Sequence, residues 1–201
     1  KATGDITQNK GLTITMHSQP FNGSLDAKIV NDQVTATFEK LNAQAMLKML
    51  AYPEVMNAPL NGTLDYNTKR EEGVFKANFS QATLVRSQMT NLIGSLTRTD
   101  LTKERFNEGQ LTSKIKKQII HSDLRMQSSR VKLNSKKFII NSKKQLIDAR
   151  FDVQIKTYPA DVLVSGQINQ PKVRLDAKSM ITPEVEEKAK KEINRFLKKL
   201  F

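Results

Sequence analysis

Few residues of the types that carry enzyme chemistry occur in this sequence, and none of them has the partners that catalysis needs. The chain has no cysteine and two histidines, His17 and His121. Without cysteine there is neither a thiol nucleophile nor a zinc site built on thiolates. The histidines lie far apart, each in a strand-like run and outside any metal-ligand spacing such as His-x-x-x-His. This pattern favours a structural or surface role for both.

Two aspartates occupy equivalent places in an internal repeat and suggest paired carboxylates for acid–base work. The segment Asn-Gly-Ser-Leu-Asp-Ala at 22–27 recurs as Asn-Gly-Thr-Leu-Asp-Tyr at 61–66, so Asp26 and Asp65 correspond. However, no base, nucleophile or metal site accompanies them, and each follows a turn-forming Asn-Gly, so an architectural role is favoured. Neither a Gly-x-Ser-x-Gly elbow nor a glycine-rich phosphate loop is present. We therefore predict a protein that is not an enzyme, with no catalytic residues, no metal and no cofactor.

The repeated segment predicts a unit of strand, turn, strand and helix that is used twice. After the first pair of strands, a helix is predicted at about 42–51 with Asn42 as its N-cap. After the second pair, an apolar stripe at helical spacing predicts a helix at about 81–96. A short third helix is predicted to follow Asp100 and to cover 101–106.

From residue 109 to residue 177 the hydrophobic period changes from that of a helix to that of a strand. Apolar and polar residues alternate with a period of two, which predicts antiparallel strands with one apolar and one polar face. Three lysine pairs, at 116–117, 136–137 and 143–144, interrupt the alternation. We predict that all three lie at or near turns, where exposed charge also discourages aggregation of sheet edges.

The last segment predicts an amphipathic helix. Thr182 can cap it, and its acidic start and basic end complement the helix dipole. Its apolar stripe either covers the open end of the sheet or lies on an anionic membrane; covering the protein's own core is the commoner use of such a stripe.

These elements together predict an α+β protein with a curved, mainly antiparallel β-sheet, shaped as a groove and carrying amphipathic helices at its ends. The first repeat covers 1–58, and the second repeat with the short helix covers 59–107. The antiparallel meander covers 108–180 and the C-terminal helix 181–201. We expect these four segments to form one continuous domain.

The charge balance suggests an anionic partner. The formal net charge is +13, which suits nucleic acid, a membrane surface or an acidic ligand, although a lysine-rich soluble surface gives the same count. Aromatic residues make up only 6% of the chain and tryptophan is absent, so platforms for base stacking are scarce. The lysines are dispersed and no nucleic-acid motif occurs, so nucleic acid is not expected as a partner.

No apolar run is long enough to span a bilayer, and no signal peptide is present. The chain opens in mid-pattern at Lys1. We expect it to be a piece of a longer protein whose export or anchor segment is missing.

Six segments of the chain form a pattern that occurs in a known family. They are Asn-Gly-Thr-Leu-Asp-Tyr at 61–66, Gly-Val-Phe at 73–75, Gly-Gln-Leu-Thr at 109–112, Asp-Leu-Arg-Met-Gln-Ser at 123–128, Leu-Ile-Asp-Ala-Arg-Phe-Asp at 146–152 and Val-Leu-Val-Ser-Gly-Gln-Ile-Asn-Gln-Pro-Lys-Val at 162–173. These segments resemble the carboxy-terminal domain of the AsmA-like proteins, the relatives of TamB and YhdP. The resemblance covers about 59–178, with a departure at 142–145, where the family has glycine in the turn, and with a final helix that is outside the family pattern.

The resemblance implies a periplasmic protein of the Gram-negative cell envelope, held in the inner membrane by an anchor that this chain lacks. Such proteins form long curved sheets whose apolar groove carries phospholipid acyl chains in outer-membrane biogenesis. The implied partners are acyl chains, together with an anionic membrane surface or other envelope proteins. Acyl chains would supply the apolar contact that a one-faced sheet otherwise takes from a second layer.

The candidate groove residues are the inward members of the alternating strands. A protein-interaction module with a filled core is the alternative, since core packing explains the same pattern, and a basic nucleic-acid-binding domain is the third. The candidates are Leu111, Ile115, Ile119, Leu124, Met126, Val131, Leu133, Phe138, Ile140, Phe151, Val153, Ile155, Val162, Val164 and Ile168.

Overall fold

Within the part of the chain that the structure describes, twelve of the fourteen strands form a single antiparallel sheet, and their order across the sheet is their order along the chain. The computed structural model describes residues 2–7, 13–97, 99–156 and 158–176. The strands are β1 (Ala2–Thr7), β2 (Thr13–Ser18), β3 (Ser24–Val30), β4 (Gln33–Asn42), β5 (Met56–Asn57), β6 (Pro59–Asn67), β7 (Glu72–Phe79), β8 (Thr83–Leu84), β9 (Glu108–Lys116), β10 (Ile119–Gln127), β11 (Val131–Asn141), β12 (Leu146–Ile155), β13 (Tyr158–Gln167) and β14 (Lys172–Asp176).

The sheet is open, with β1 and β14 as its edge strands, and two short helices accompany it. The helices are α1 (Ala43–Met49), between β4 and β6, and α2 (Gln88–Thr97), between β7 and β9. A 3-10 helix (Leu101–Lys103) follows α2, and β5 pairs with β8 in a small separate ribbon. The predicted mainly antiparallel α+β class is confirmed at this level.

All of these additions lie at the same end of the strands. They occupy the connections from β4 to β6 and from β7 to β9, and both connections leave the sheet at the same end of the strands. At the opposite end of the strands, neighbouring strands are joined by short turns. We call the first the helix end and the second the turn end. The predicted C-terminal helix at 181–201 lies outside the described residues.

The repeat of strand, turn, strand and helix is confirmed, with a shift in the second copy. Asn42 caps α1, since its Oδ1 accepts a hydrogen bond of 2.8 Å from the backbone N–H of Ala45. The second helix begins at Gln88 rather than near residue 81. The skipped residues form β8 and a bridge between Ala82 and Phe106, both fully buried, so tertiary pairing overrides the helical pattern there.

The short helix after Asp100 is also confirmed, although it is a single 3-10 turn rather than a helix through residue 106. The Oδ1 atom of Asp100 accepts a hydrogen bond of 3.1 Å from the N–H of Thr102 and caps the turn. The chain then extends, because Phe106 pairs with Ala82 through N–H to O distances of 2.8 and 3.0 Å.

The prediction that all three lysine pairs lie at or near turns is wrong for one of them. The pairs at 116–117 and 143–144 lie at turns, as predicted, but Lys136 and Lys137 lie inside β11. A β-bulge between Ser135 and Lys137 interrupts the pairing with β12 there. Because the bulge adds one residue, the apolar residues are odd-numbered before it (Leu133) and even-numbered after it (Phe138), yet both lie on the same face of the sheet. The alternation therefore changes parity without a turn.

Three aromatic rings on the apolar face lie over glycines of the neighbouring strand. The ring of Phe79 lies opposite Gly109, while Phe38 lies opposite Gly62 and Tyr66 opposite Gly73. A Cβ atom added at position 109 would overlap the Phe79 ring. Glycine is therefore needed at this position for ring packing rather than for a turn.

We expect Gly109→Ala to lower the free energy of unfolding by about 1–3 kcal/mol, as overpacking in a buried site does. Denaturant unfolding of the variant would measure this cost. The matched control is the same substitution in a Phe79→Ala background, where the clash is gone and the cost of Gly109→Ala should nearly vanish. An unchanged cost in that background would show that the ring is not the cause.

Candidate functional site

The structure divides the fifteen candidate groove residues between a packed core and a partly exposed surface. Nine of them are buried, and these lie mostly toward the helix end: Met126, Val131, Leu133, Phe151, Val153, Ile155, Val162, Val164 and Ile168. Eight of the nine lie in strands, whereas Ile168 follows β13 in a turn. The remaining six are partly exposed: Leu111, Ile115, Ile119, Leu124, Phe138 and Ile140.

Ile119 is on the wrong face for the predicted groove. Its cross-strand partners are Lys116 on β9 and Asn141 on β11, so its side chain shares the polar face with theirs. The next residue, Ile120, pairs with Ile115 and Ile140 and takes the inward place. The reason is the two-residue turn at 117–118, across which the inward parity changes from odd to even.

A continuous row of mostly aliphatic residues crosses the apolar face near the turn end. Each member is the direct cross-strand partner of the next, over nine strands from β2 to β12, and all nine members are partly exposed. We call this set the aliphatic row: Ile14, Ile29, Val34, Tyr66, Gly73, Ile115, Ile120, Ile140 and Ile147.

Exposure along the apolar face changes from one end of the strands to the other. At the helix end a parallel row is buried by the packed core: Leu60, Phe79, Met126, Leu133 and Val153. Ile93 of α2 and Leu101 of the 3-10 helix belong to the same cluster, each 1% exposed. The face is thus filled near the helices and accessible along the aliphatic row.

Of the aliphatic row, only Ile115 and Ile140 are among the fifteen candidates predicted from the sequence. The earlier strands carry the same signal: Ile29 and Val34 lie at equal distances on either side of the turn at 31–32, as Ile115 and Ile120 do around the turn at 117–118. Counting outward from each turn, rather than along the chain, would have found the row.

The turns beside the aliphatic row form a hydrogen-bonded belt. Each links to the next through one backbone N–H and one carbonyl oxygen. The four links are Thr68 to Asp32 at 2.8 Å, Lys117 to Glu71 at 2.6 Å, Ser142 to Gln118 at 2.9 Å and Ile168 to Gln145 at 2.9 Å. The belt fixes the border of the exposed row.

The polar face holds a buried carboxylate. Asp161 on β13 is 3% exposed, and it accepts hydrogen bonds from Nζ of Lys136 at 2.8 Å and Nε of Arg150 at 2.9 Å. Burial by itself would raise the pKa of Asp161. The hydrogen bonds and charges of Lys136 and Arg150 outweigh burial and lower that pKa. The bulge at Lys136 thus brings a cation to a buried anion two strands away.

Asp161→Asn should lower the free energy of unfolding by about 1–3 kcal/mol at neutral pH, since it weakens the charge-assisted hydrogen bonds that Asp161 accepts from Lys136 and Arg150. The folded-state pKa is depressed, so the ionised carboxyl stabilises the fold above its unfolded pKa of about 3.9. That stability is lost as the pH falls through the lower folded-state value, and the difference between variant and wild type should close there. Denaturant unfolding from pH 7 to pH 2 would measure it.

Asp148→Asn is the control for this substitution, because Asp148 pairs with Lys137 on the same face but its side chain is 60% exposed. It should change stability by no more than about 0.5 kcal/mol. Equal costs for the two variants would mean that burial of Asp161 does not strengthen its ion pairs.

A concavity of about 940 Å³ lies over β1–β7 and is lined mostly by residues of the polar face. The predicted architectural residues line it. Nδ1 of His17 lies 2.7 Å from Oδ1 of Asp26, with both side chains more than half exposed, and Asp65 accepts a hydrogen bond from Gln33. Asp26 and Asp65 therefore each have a separate cross-strand partner. His121 is exposed on β10, opposite Lys114.

The remaining lining of this concavity is about half threonine and lysine, including Thr35, Thr37 and Lys76, and otherwise mostly apolar, including Ala36 and Leu64. Among the residues that the structure describes, no cluster of three or more potential metal-ligating side chains occurs.

Within the same described ranges, none of the helices has the length and apolar character needed to cross a membrane. Comparison of the chain with protein-family models, curated proteins and solved structures finds no match.

Proposed function

We propose that this chain is a non-enzymatic lipid-binding module that holds phospholipid acyl chains along the aliphatic row of a curved, groove-like sheet. The observation that carries the proposal is the continuity of that row: nine adjacent strands each present an inward residue at the same level, all partly exposed. Apolar surface left in water is costly, and acyl chains would remove it.

The dimensions of the row suit this cargo. Nine strands spaced by about 4.8 Å make a row of about 38 Å. A bilayer core of about 30 Å contains two layers of acyl chains, so one chain spans about 15 Å. The row is therefore long enough for an acyl chain to lie across several strands with length to spare.

The filled helix end favours a chain that lies along the row. The side chains there are packed against Ile93, Leu101 and Phe106, each at most 1% exposed. An acyl chain entering from the turn end would meet this core after the first few residues of each strand, and so would turn to run across the strands. Transport along the sheet is the motion that this geometry suits.

In this proposal the module belongs to the AsmA-like proteins and acts in the periplasm, in lipid transport for outer-membrane biogenesis. The sequence segments quoted above support that placement. The alternative, a protein-interaction module with a filled core, is favoured by one observation, namely the burial of nine of the fifteen candidate residues.

Native mass spectrometry of the chain, purified without detergent from a Gram-negative host, tests the proposal. We expect a bound species whose extra mass matches phospholipid, with the lipid identified after extraction. A chain that is folded and monodisperse but free of lipid, also after incubation with phospholipid vesicles, would favour the interaction module.

A further inference from the structure

We infer that the turn end of β9–β12 is an edge that docks on an anionic membrane surface. The edge consists of Lys117, Lys143 and Lys144 in two turns, together with three aliphatic residues of the polar face, Ile119, Ile139 and Leu146. We call these six residues the docking edge. The inference goes beyond lipid capture on the apolar face, since it concerns the surface that the whole module meets.

The two turns form a single edge. Ser142 of the β11–β12 turn donates to the carbonyl oxygen of Gln118 in the β9–β10 turn, through its N–H at 2.9 Å and its hydroxyl at 3.2 Å. The lysines of the two turns are therefore held side by side on neighbouring hairpins rather than on independent loops.

The two turns that form this edge carry only positive charges, although Glu71 of the neighbouring β6–β7 turn lies beside Lys117. Residues 116–118 and 142–145 contain four exposed lysines and no acidic residue. Nζ of Lys116 lies 3.6 Å from a carboxylate oxygen of Glu72. Within the described part of the chain, Lys117, Lys143 and Lys144 make no ion pair.

The one-faced alternation of the sheet ends at this edge. Ile119, Ile139 and Leu146 are aliphatic but lie on the face that elsewhere in these strands carries residues such as Lys114 and Asp148. Leu146 is 37% exposed. Ile120, Ile140 and Ile147 occupy the other face at the same level, so the tips of both hairpins are aliphatic on two sides.

Lysines beside aliphatic residues match a lipid surface better than the other anionic partners. A nucleic acid would call for aromatic rings on which bases stack, and no aromatic residue lies in either turn. Protein interfaces are enriched in aromatic residues and arginine and are depleted in lysine. At a membrane, lysines are attracted to anionic headgroups while aliphatic side chains enter the headgroup and acyl boundary.

Sedimentation of the 201-residue chain with lipid vesicles tests the inference. We expect binding to vesicles of phosphatidylcholine mixed equally with phosphatidylglycerol, weaker at high salt, and little binding to phosphatidylcholine alone. The triple variant K117Q/K143Q/K144Q should lower the partition coefficient about a hundredfold, since each lysine near an anionic surface contributes about fivefold. Leu146→Ser should lower it severalfold.

The matched control is K48Q/K132Q/K156Q, which removes the same charge from exposed sites in α1, β11 and the β12–β13 connection. It should bind nearly as the wild type does. Equal losses in both triple variants would overturn the inference in favour of attraction by net charge alone. If the wild type bound neither the anionic vesicles nor those of phosphatidylcholine alone, the inference would also be overturned, and the partner of the edge would be a protein.

The two proposals fail separately. Lipid bound to the soluble chain, measured by native mass spectrometry, should be the same in K117Q/K143Q/K144Q as in the wild type. Loss of vesicle binding with retained cargo would support the docking edge, and loss of cargo in this variant would assign its lysines to the lipid site instead.

Discussion

Val153→Asp is expected to leave the chain unfolded or unstable at neutral pH. The Val153 side chain is fully buried, between Leu133 on β11 and Ala160 on β13, in the filled part of the apolar face. An unpaired carboxylate there loses several kcal/mol of hydration with no compensating cation, against a typical total stability of about 5–15 kcal/mol. Circular dichroism with thermal unfolding would show the loss. The deficit should shrink at acidic pH, because burial raises the carboxyl pKa and protonation removes the charge.

Gln154→Asp provides the control, because Gln154 is the next residue of β12 and is exposed on the polar face, opposite Lys132. It should change stability by no more than about 0.5 kcal/mol. If Val153→Asp folded with native stability, the helix end would be accessible to water and the candidate groove would extend over the full length of the strands.

The one-faced sheet could be predicted because alternation is a local property. A strand reveals its buried face wherever polar and apolar residues alternate, and the run at 149–155 around Val153 does so without interruption. The helix α1 was predicted for a similarly local reason, since its cap at Asn42 lies next to the residues it organises.

The errors arise where pairing between strands decides the outcome. Ile119 was assigned to the inward face by continuing the parity of Ile115 through a turn, whereas the register pairs Ile115 with Ile120. The lysines at 136–137 were assigned to a turn because a bulge and a turn interrupt alternation in the same way. Neither distinction is present in one strand taken alone.

The division of the apolar face into filled and exposed parts was also beyond the sequence. It depends on the β4–β6 and β7–β9 connections leaving the sheet at the same end, so that Ile93 and Leu101 pack against strands far from them in sequence. Alternation gives Val153 and Ile140 the same inward assignment, although one is fully buried and the other partly exposed. The candidate lipid site therefore shifts from the fifteen predicted residues, fourteen of which lie on the five strands β9–β13, to the aliphatic row, which shares only Ile115 and Ile140 with them.

Placing the candidate lipid site at the aliphatic row leads to a specific expectation for I120T/I140T, a double variant within that row. Threonine retains the β-branched shape that strands favour, so the fold should survive. Each substitution replaces apolar surface by a hydroxyl toward the β12 end of the row, where Ile120 and Ile140 are direct cross-strand partners. With about 0.8 kcal/mol for each methylene equivalent removed from contact, lipid affinity should fall by about tenfold or more. Native mass spectrometry at matched protein concentration would measure the bound fraction.

The control is I119T/I139T, which changes the preceding residue on each of the same two strands. Ile119 and Ile139 are also partly exposed, but they lie on the polar face. This variant should retain its bound lipid while its binding to anionic vesicles weakens, because both residues belong to the docking edge. If both double variants lost lipid equally, the capture would not be specific to the apolar face, and the lipid site would include the polar-face residues of the docking edge. If neither lost it, the acyl chain would have to lie deeper, among the side chains now packed at the helix end.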